Sequence, residues 1–335
     1  MSSKPTVVLA LPAHVAKQMF RPEQLERLSA ISTLLGPIMP ADTDGSFKTA
    51  VAEAVAIISG WRSPIFDKAM LDQAPQLRLI AHSAGSVKTF VGDAVYDRGI
   101  RVTTAAGGNA YPVAQFTLAT IISLLKQTPW IAPAYARGDQ DEFLRRKGLC
   151  RELQDLDVGV ISASRVGREV IKLLLACPRL RIKCFDPHLK DEHAKALGVI
   201  KVTLEEACRC EVVTIHAPSL PETRHMFNAK TLSLLPDHAV LVNTSRGTLI
   251  DESALVAELK RRQLYVALDV TDPEPPAPDS PLRTAPNLVL TPHIAGALRQ
   301  GRLDMGQIAI EETLRFLKGE PLQHEVTRAM LPTQA

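Results

Sequence analysis

The segment Val158-Gly159-Val160-Ile161-Ser162-Ala163-Ser164-Arg165-Val166-Gly167 reads as a strand, a tight turn and a helix start. Arg181-Ile182-Lys183-Cys184-Phe185-Asp186 reads as a second strand ending in an acid. Together they suit dinucleotide binding, with the helix start facing a pyrophosphate and the acid receiving the adenosine ribose hydroxyls. Asp186 lies 19 residues past Gly167, which fits the spacing. A carboxylate there repels a 2′-phosphate, which favours NAD over NADP. Of the Gly-x-Gly-x-x-Gly fingerprint only Gly167 is present, and Ser162 and Ser164 hold the other two glycine positions. Ser164 is a good N-cap whose hydroxyl can also meet a phosphate. A side chain at Ser162 crowds the turn. The turn alone leaves two readings open: dinucleotide binding, or an ordinary βαβ unit. Cys208 and Cys210 form a C-x-C pair near a helix end; with no second pair or clustered histidines, no metal site is expected. They read as partly buried helix residues.

Such residues must be held by a framework, and the hydropathy pattern supplies one. Apolar runs fall at Thr6–Ala10, Val55–Ile58, Leu77–Ala81, Arg101–Thr104, Val158–Ile161, Arg181–Phe185, Val212–Ile215, Val240–Asn243, Tyr265–Val270 and Leu288–Leu290. They are nearly continuous hydrophobics, as strands covered on both faces of a parallel sheet must be. Helical patterns lie between them at Pro22–Leu35, Asn109–Lys126, Val166–Ala176, Glu252–Arg262 and Met305–Leu317. The alternation predicts a doubly wound α/β protein. Asn109–Lys126 is apolar on most faces, which predicts a helix that connects domains or meets another subunit. The proline-rich stretch Thr271–Pro286 reads as a stiff loop.

The 335 residues are enough for two domains. With 46% hydrophobic and 22% charged residues, the chain is neither disordered nor fibrous. No run approaches a membrane span. Val7–Ala13 is short, broken by Pro12 and without the basic flank of a signal peptide, so the cytoplasm is the expected location. A net charge of +3 and 4% aromatic residues offer neither a basic stripe nor stacking rings, so no nucleic-acid partner is expected. Five cysteines imply no disulfide framework.

Four further stretches resemble the D-isomer-specific 2-hydroxyacid dehydrogenases, the family of phosphoglycerate dehydrogenase and glyoxylate–hydroxypyruvate reductase. They are His216-Ala217-Pro218 with Pro221-Glu222-Thr223; Leu241-Val242-Asn243-Thr244-Ser245-Arg246-Gly247 with Asp251-Glu252; Leu268-Asp269-Val270 with Pro273-Glu274-Pro275; and Thr291-Pro292-His293-Ile294-Ala295-Gly296. Ala105–Asn109 and Val113-Ala114 resemble the entry to the family's cofactor domain. The resemblance spans nearly the whole chain and is dense from Leu156 to Val326. It implies two Rossmann-like doubly wound parallel-sheet domains with the active site in the cleft between them. The substrate-binding, flavodoxin-like domain would hold residues 1–107 and 301–335, and the NAD domain residues 108–300. It also implies a homodimer built on the helix at Asn109–Lys126.

The resemblance further assigns roles. Reduction of a 2-oxo acid needs a cation for the carboxylate, an acid for the carbonyl oxygen and a hydride. Arg246 would grip the carboxylate with its planar fork. His293 would give the proton, since histidine titrates near neutrality. Glu274, 19 residues earlier, would hydrogen-bond the imidazolium and fix its orientation. Asp269 would accept from the nicotinamide carboxamide. Thr244, Ser245, His216, Ala217 and Pro218 would line the nicotinamide ribose, and Thr223 would reach the pyrophosphate. Ser164, Arg165, Val166, Asp186 and Gly296 complete the expected cofactor contacts. The family's Gly-x-Gly-x-Asp-Asn substrate loop is replaced by His82–Thr89, where Gly85 and Ser86 would present backbone amides to a carboxylate. Apart from the resemblance, Arg62 in Trp61-Arg62-Ser63-Pro64 reads either as a second cation for a larger acid or as a solvated surface arginine.

The expectation is an NAD-dependent enzyme acting on a small 2-oxo or 2-hydroxy acid, of the glyoxylate or hydroxypyruvate reductase type. No further domain follows Met330, so the long regulatory phosphoglycerate dehydrogenases are not expected. Two alternatives stand beside it: an NAD-sensing dimer of the corepressor type, and a degenerate homologue with weak cofactor binding, suggested by Ser162 and Ser164.

Overall fold

The computed structural model describes residues 4–41 and 45–333. Contacts divide the chain into two compact units, Met1–Asn109 with Ala297–Ala335, and Ala110–Gly296.

The first unit is built on strands β1 (Thr6–Leu9), β2 (Thr33–Leu35), β3 (Ala54–Ser59), β4 (Leu79–His82) and β5 (Arg101–Thr104). They form a parallel sheet of order β2-β1-β3-β4-β5, the flavodoxin-like arrangement. Alternate residues of one strand enter opposite cores. Val7, Ile58 and Leu79 pack on one face, and Val8, Ile57 and Ile80 on the other. The apolar runs are continuous for this reason.

The second unit carries β6 (Asp157–Ile161), β7 (Arg181–Phe185), β8 (Ile200–Lys201), β9 (Val212–Ile215), β10 (Val240–Asn243), β11 (Tyr265–Leu268) and β12 (Leu288–Leu290). The order is β12-β11-β10-β9-β6-β7-β8, all parallel. Val240 and Val242 enter one core, Leu241 the other. Strand order reverses beside β6, so the crevice between the carboxyl ends of β6 and β9 is where such a sheet takes a ligand.

Three expectations need correction. Pro22–Leu35 is not one helix: it is a helix at Pro22–Ser29 followed by β2. Its apolar pattern runs on because both elements bury residues on the same core, Leu28 from the helix and Leu34 from the strand. The apolar helix spans Ala106–Leu125 and begins earlier than the pattern suggests. Two further helices, Thr128–Ala136 and Gln140–Lys147, follow it where no helix was expected. Pro129 and Pro133 hid the first, although Pro129 stands in the first turn, where proline is tolerated.

Candidate active site

The turn after β6 is tightly specified. Ser164 caps the helix Arg165–Leu175 by accepting from the Gly167 amide at 3.2 Å. Arg165 is exposed at the helix start, and Val166 packs on the core. A Cβ on Gly167 would lie 2.0 Å from the Ser162 carbonyl oxygen, so packing demands the one glycine that survives. Ser162 itself sits at φ +77°, a left-handed conformation that costs a non-glycine residue about 1 kcal/mol. Asp186, just past β7, holds the turn. Its Oδ2 accepts from Ser162 Oγ at 3.0 Å and from the Ala163 amide at 2.9 Å, and its Oδ1 accepts from the His188 amide at 2.8 Å.

Across the switch point, the His216 amide donates to the Ile161 carbonyl at 2.8 Å. Its Nε2 pairs with Thr214 Oγ1 at 2.9 Å, and its buried Nδ1 has no partner among the described residues. Burial pushes this imidazole down to about 3. Ala217 is buried, and the Pro218 carbonyl accepts from Thr223 Oγ1 at 2.7 Å. The Thr223 hydroxyl is thus engaged within its own loop. A helix start at the switch point, an acid at the end of β7 and a glycine that permits close approach fit an NAD molecule. Ser162 is the departure.

The carboxyl ends of β10, β11 and β12 carry the remaining residues. Fully buried Asn243 shapes the turn after β10: its Oδ1 accepts from the Ser245 amide at 3.0 Å and its Nδ2 donates to the Arg246 carbonyl at 2.9 Å. Ser245 Oγ donates to the Ile215 carbonyl, and Thr244 Oγ1 pairs with Thr117 Oγ1, each at 3.0 Å. Arg246 donates from Nη1 to the Ser245 carbonyl at 2.7 Å and makes no ion pair among the described residues. Burial lowers its proton affinity, and the nearby Glu274 charge works the other way. A largely desolvated, unpaired guanidinium is costly to hold and suited to an incoming carboxylate.

Gly247 lets the loop after β11 come close; a Cβ there would lie 2.0 Å from the Thr271 carbonyl carbon. Glu252 accepts from the Asp272 amide at 2.8 Å and fixes the same loop. Burial raises the Glu252 carboxyl. The loop presents Glu274, whose Oε1 lies 2.7 Å from His293 Nδ1. That contact orients the ring and leaves Nε2 without a partner among the described residues. His293 adopts φ +53°, and its amide donates to the Asp269 carbonyl at 2.9 Å.

The Asp269 side chain is 2% exposed and accepts from the Thr291 hydroxyl at 2.5 Å and the Ile294 and Ala295 amides at 2.9 and 2.8 Å. Gly296 follows, half-buried. A pocket of about 430 Å³ beside Glu274 is lined by Asp269, Thr271, Arg283, Thr291 and Pro292 among others. Arg246, Glu274, His293 and Asp269 therefore lie at the ends of three adjacent strands. Sequence reasoning missed the supports Asn243, Glu252 and Thr291. A polar residue ending an apolar strand, as Asn243 does, was the available signal.

In the first unit, β4 ends at His82, whose Nδ1 lies 2.9 Å from Ser59 Oγ. The ring packs on Phe90 with centroids 4.8 Å apart. Burial pushes this imidazole down to about 4. Thr104 Oγ1 donates to the Ala84 and Gly85 carbonyls, and Ser86 Oγ accepts from the Lys88 amide at 3.3 Å. Exposed Arg62 stands at φ +66° and makes no ion pair among the described residues. Trp61 beside it lies under the Arg302 guanidinium at 5.3 Å, a contact the sequence did not reveal. Cys208 and Cys210 are fully buried rather than partly so, because they join the core that takes up Val213 and Ile215, and Cys210 lies past the helix, which ends at Cys208. Burial pushes their thiols up to about 12 and about 11.

Comparison with known proteins adds the family. The model for the D-isomer specific 2-hydroxyacid dehydrogenase, NAD binding domain, matches residues 118–295. A D-3-phosphoglycerate dehydrogenase of Archaeoglobus fulgidus is 31% identical over 262 residues, 78% of this chain and 49% of the relative. The chain thus spans about half the length of the phosphoglycerate dehydrogenases it matches. A glyoxylate reductase of Aeropyrum pernix is 32% identical over 277 residues, 78% of this chain and 80% of the relative. The apo structure of Rhodotorula graminis D-mandelate dehydrogenase superposes with a TM-score of 0.83 at 22% identity, covering 97% of this chain and 98% of that one. That likeness bears on the fold.

Proposed function

Because this chain belongs to the D-isomer-specific 2-hydroxyacid dehydrogenase family, we propose that it is an NAD-dependent oxidoreductase. It interconverts a small 2-oxo acid and the matching D-2-hydroxy acid, as a reductase of the glyoxylate or hydroxypyruvate type. The observation that carries this reading is the pair His293–Glu274, 2.7 Å apart, joining the loops after β12 and β11, with Arg246, which has no ion pair among the described residues, just past the end of β10.

Each residue has a defined task. Arg246 binds the substrate carboxylate and draws electron density from the adjacent carbonyl, because its guanidinium has no ion-pair partner among the described residues. His293 delivers a proton from Nε2 to the carbonyl oxygen and recovers it in the reverse direction. Glu274 fixes the ring and stabilises the imidazolium without itself exchanging the proton. Asp186 and the helix start at Arg165 hold the adenosine ribose and pyrophosphate. NAD, when bound, supplies and accepts the hydride.

A homodimer in the cytoplasm is part of the proposal. Tyr111 and Ile122 on the helix Ala106–Leu125, and Tyr135 and Leu144 on the two helices after it, are exposed large apolar residues. A second copy covering them would remove that surface from water. NADH binding followed by fluorescence, then NADH oxidation against a panel of 2-oxo acids, tests the function. Turnover with one or more of these acids is expected. Failure to bind NADH at millimolar concentration would sink the dehydrogenase reading, and binding without turnover of any acid would point to an NAD sensor.

A further inference from the structure

We propose that Ser162 sets the selectivity of the adenosine end of the NAD site by occupying Asp186. The inference rests on the NAD reading above and deepens it. A carboxylate offers about four acceptor positions, two on each oxygen. On Asp186 three are filled from within the chain. Ser162 Oγ and the Ala163 amide take Oδ2 at 3.0 and 2.9 Å, and the His188 amide takes Oδ1 at 2.8 Å. One position on Oδ1 remains, while an adenosine ribose brings two hydroxyls. A glycine at position 162 would leave a second position free, on Oδ2.

The turn holds this arrangement firmly. The Ser162 amide donates to the Phe185 carbonyl at 2.7 Å, so the residue is tied to β7 by backbone and side chain together. Ser162 is 9% exposed and keeps φ at +77°. Its hydroxyl therefore competes with the ribose from a fixed position. Asp186 recognises one ribose hydroxyl well and the other poorly. The carboxylate keeps its charge toward a 2′-phosphate, so the loss falls on affinity for NAD and on discrimination between ribose and deoxyribose.

Isothermal titration of the full chain with ADP, 2′-deoxy-ADP and 3′-deoxy-ADP tests this without turnover. In the native protein one of the two deoxy nucleotides is expected to bind within about 3-fold of ADP. Ser162→Gly and Ser162→Ala, which both remove the hydroxyl, are expected to tighten ADP by about 10-fold, and that deoxy nucleotide by much less. In an Asp186→Ala background the same substitutions should change nothing. Thermal transitions establish that each variant is folded. ADP affinity left unchanged or weakened by both substitutions overturns the proposal alone. Tightening in Ser162→Gly without Ser162→Ala also overturns it, because the backbone and not the hydroxyl would be responsible. Absence of ADP and NADH binding in the native protein overturns the dinucleotide reading and this proposal together.

Discussion

The Asp269 carboxylate holds the chain on both sides of His293, a side chain before it and the backbone after it: Oδ1 takes the Thr291 hydroxyl and the Ile294 amide, and Oδ2 takes the Ala295 amide. Asp269→Asn replaces one acceptor with a donor that must face another donor. An unfolding free energy lower by about 2 kcal/mol is expected, because a buried amide loses its partner. Urea denaturation reads it, and an unchanged midpoint would refute the clamp.

His293→Asn should lower turnover by about 10²-fold or more and leave NADH affinity close to native. Steady-state kinetics beside fluorescence titration separate the two. Native turnover in the variant would remove His293 from proton transfer.

Arg246→Lys keeps the charge and loses the planar fork. KM for the 2-oxo acid should rise by about 10-fold or more, with NADH affinity unaffected. If KM holds while NADH affinity falls, Arg246 belongs to the nucleotide site.

Gly247→Ala places a methyl group 2.0 Å from the Thr271 carbonyl carbon. The loop bearing Glu274 must then retreat, and about a 10²-fold loss of turnover is expected from misplacement alone. Normal kinetics in a folded variant would show that the loop does not need this approach.

His82 and His216 are held neutral, at about 4 and about 3, by burial. Their folded values lie below the unfolded value near 6.5, so the unfolded chain binds more protons as pH falls. The stability they permit is complete above about pH 6.5 and declines below it, by about 1.4 kcal/mol per pH unit for each group, down to the folded values. Urea midpoints at pH 7.5 and 5 should differ accordingly, and the double variant His82→Gln/His216→Asn should flatten the slope. A native protein equally stable at both values would contradict it.

Much of this was legible in the chain itself. The runs Val212–Ile215 and Val240–Asn243 are strands with the same ends because they lie inside the sheet and are buried along their whole length. Arg101–Thr104, Arg181–Phe185 and Leu288–Leu290 keep the same ends too, although Arg181 is exposed and Leu288–Leu290 is a half-buried edge strand. Pattern failed where two elements share one core, as at Leu28 and Leu34, and where prolines precede a helical turn, as at Pro129. Arg246, Glu274 and His293 could be singled out by their motifs. The work of Asp269 could not be seen, since its partners are a hydroxyl and two backbone amides lying 22 to 26 residues away. Likewise, nothing in the letters told that Ser162 would bond the acid opposite it.

The adjacency of β10, β11 and β12 has a genetic corollary. Arg246, Asp269, Glu274 and His293, with their supports, all fall within the single segment of the chain from Asn243 to Ala295. Recombination on either side of the region encoding that segment would pass these residues on together. The turn at Ser162–Gly167 is encoded upstream, so it can change without disturbing them.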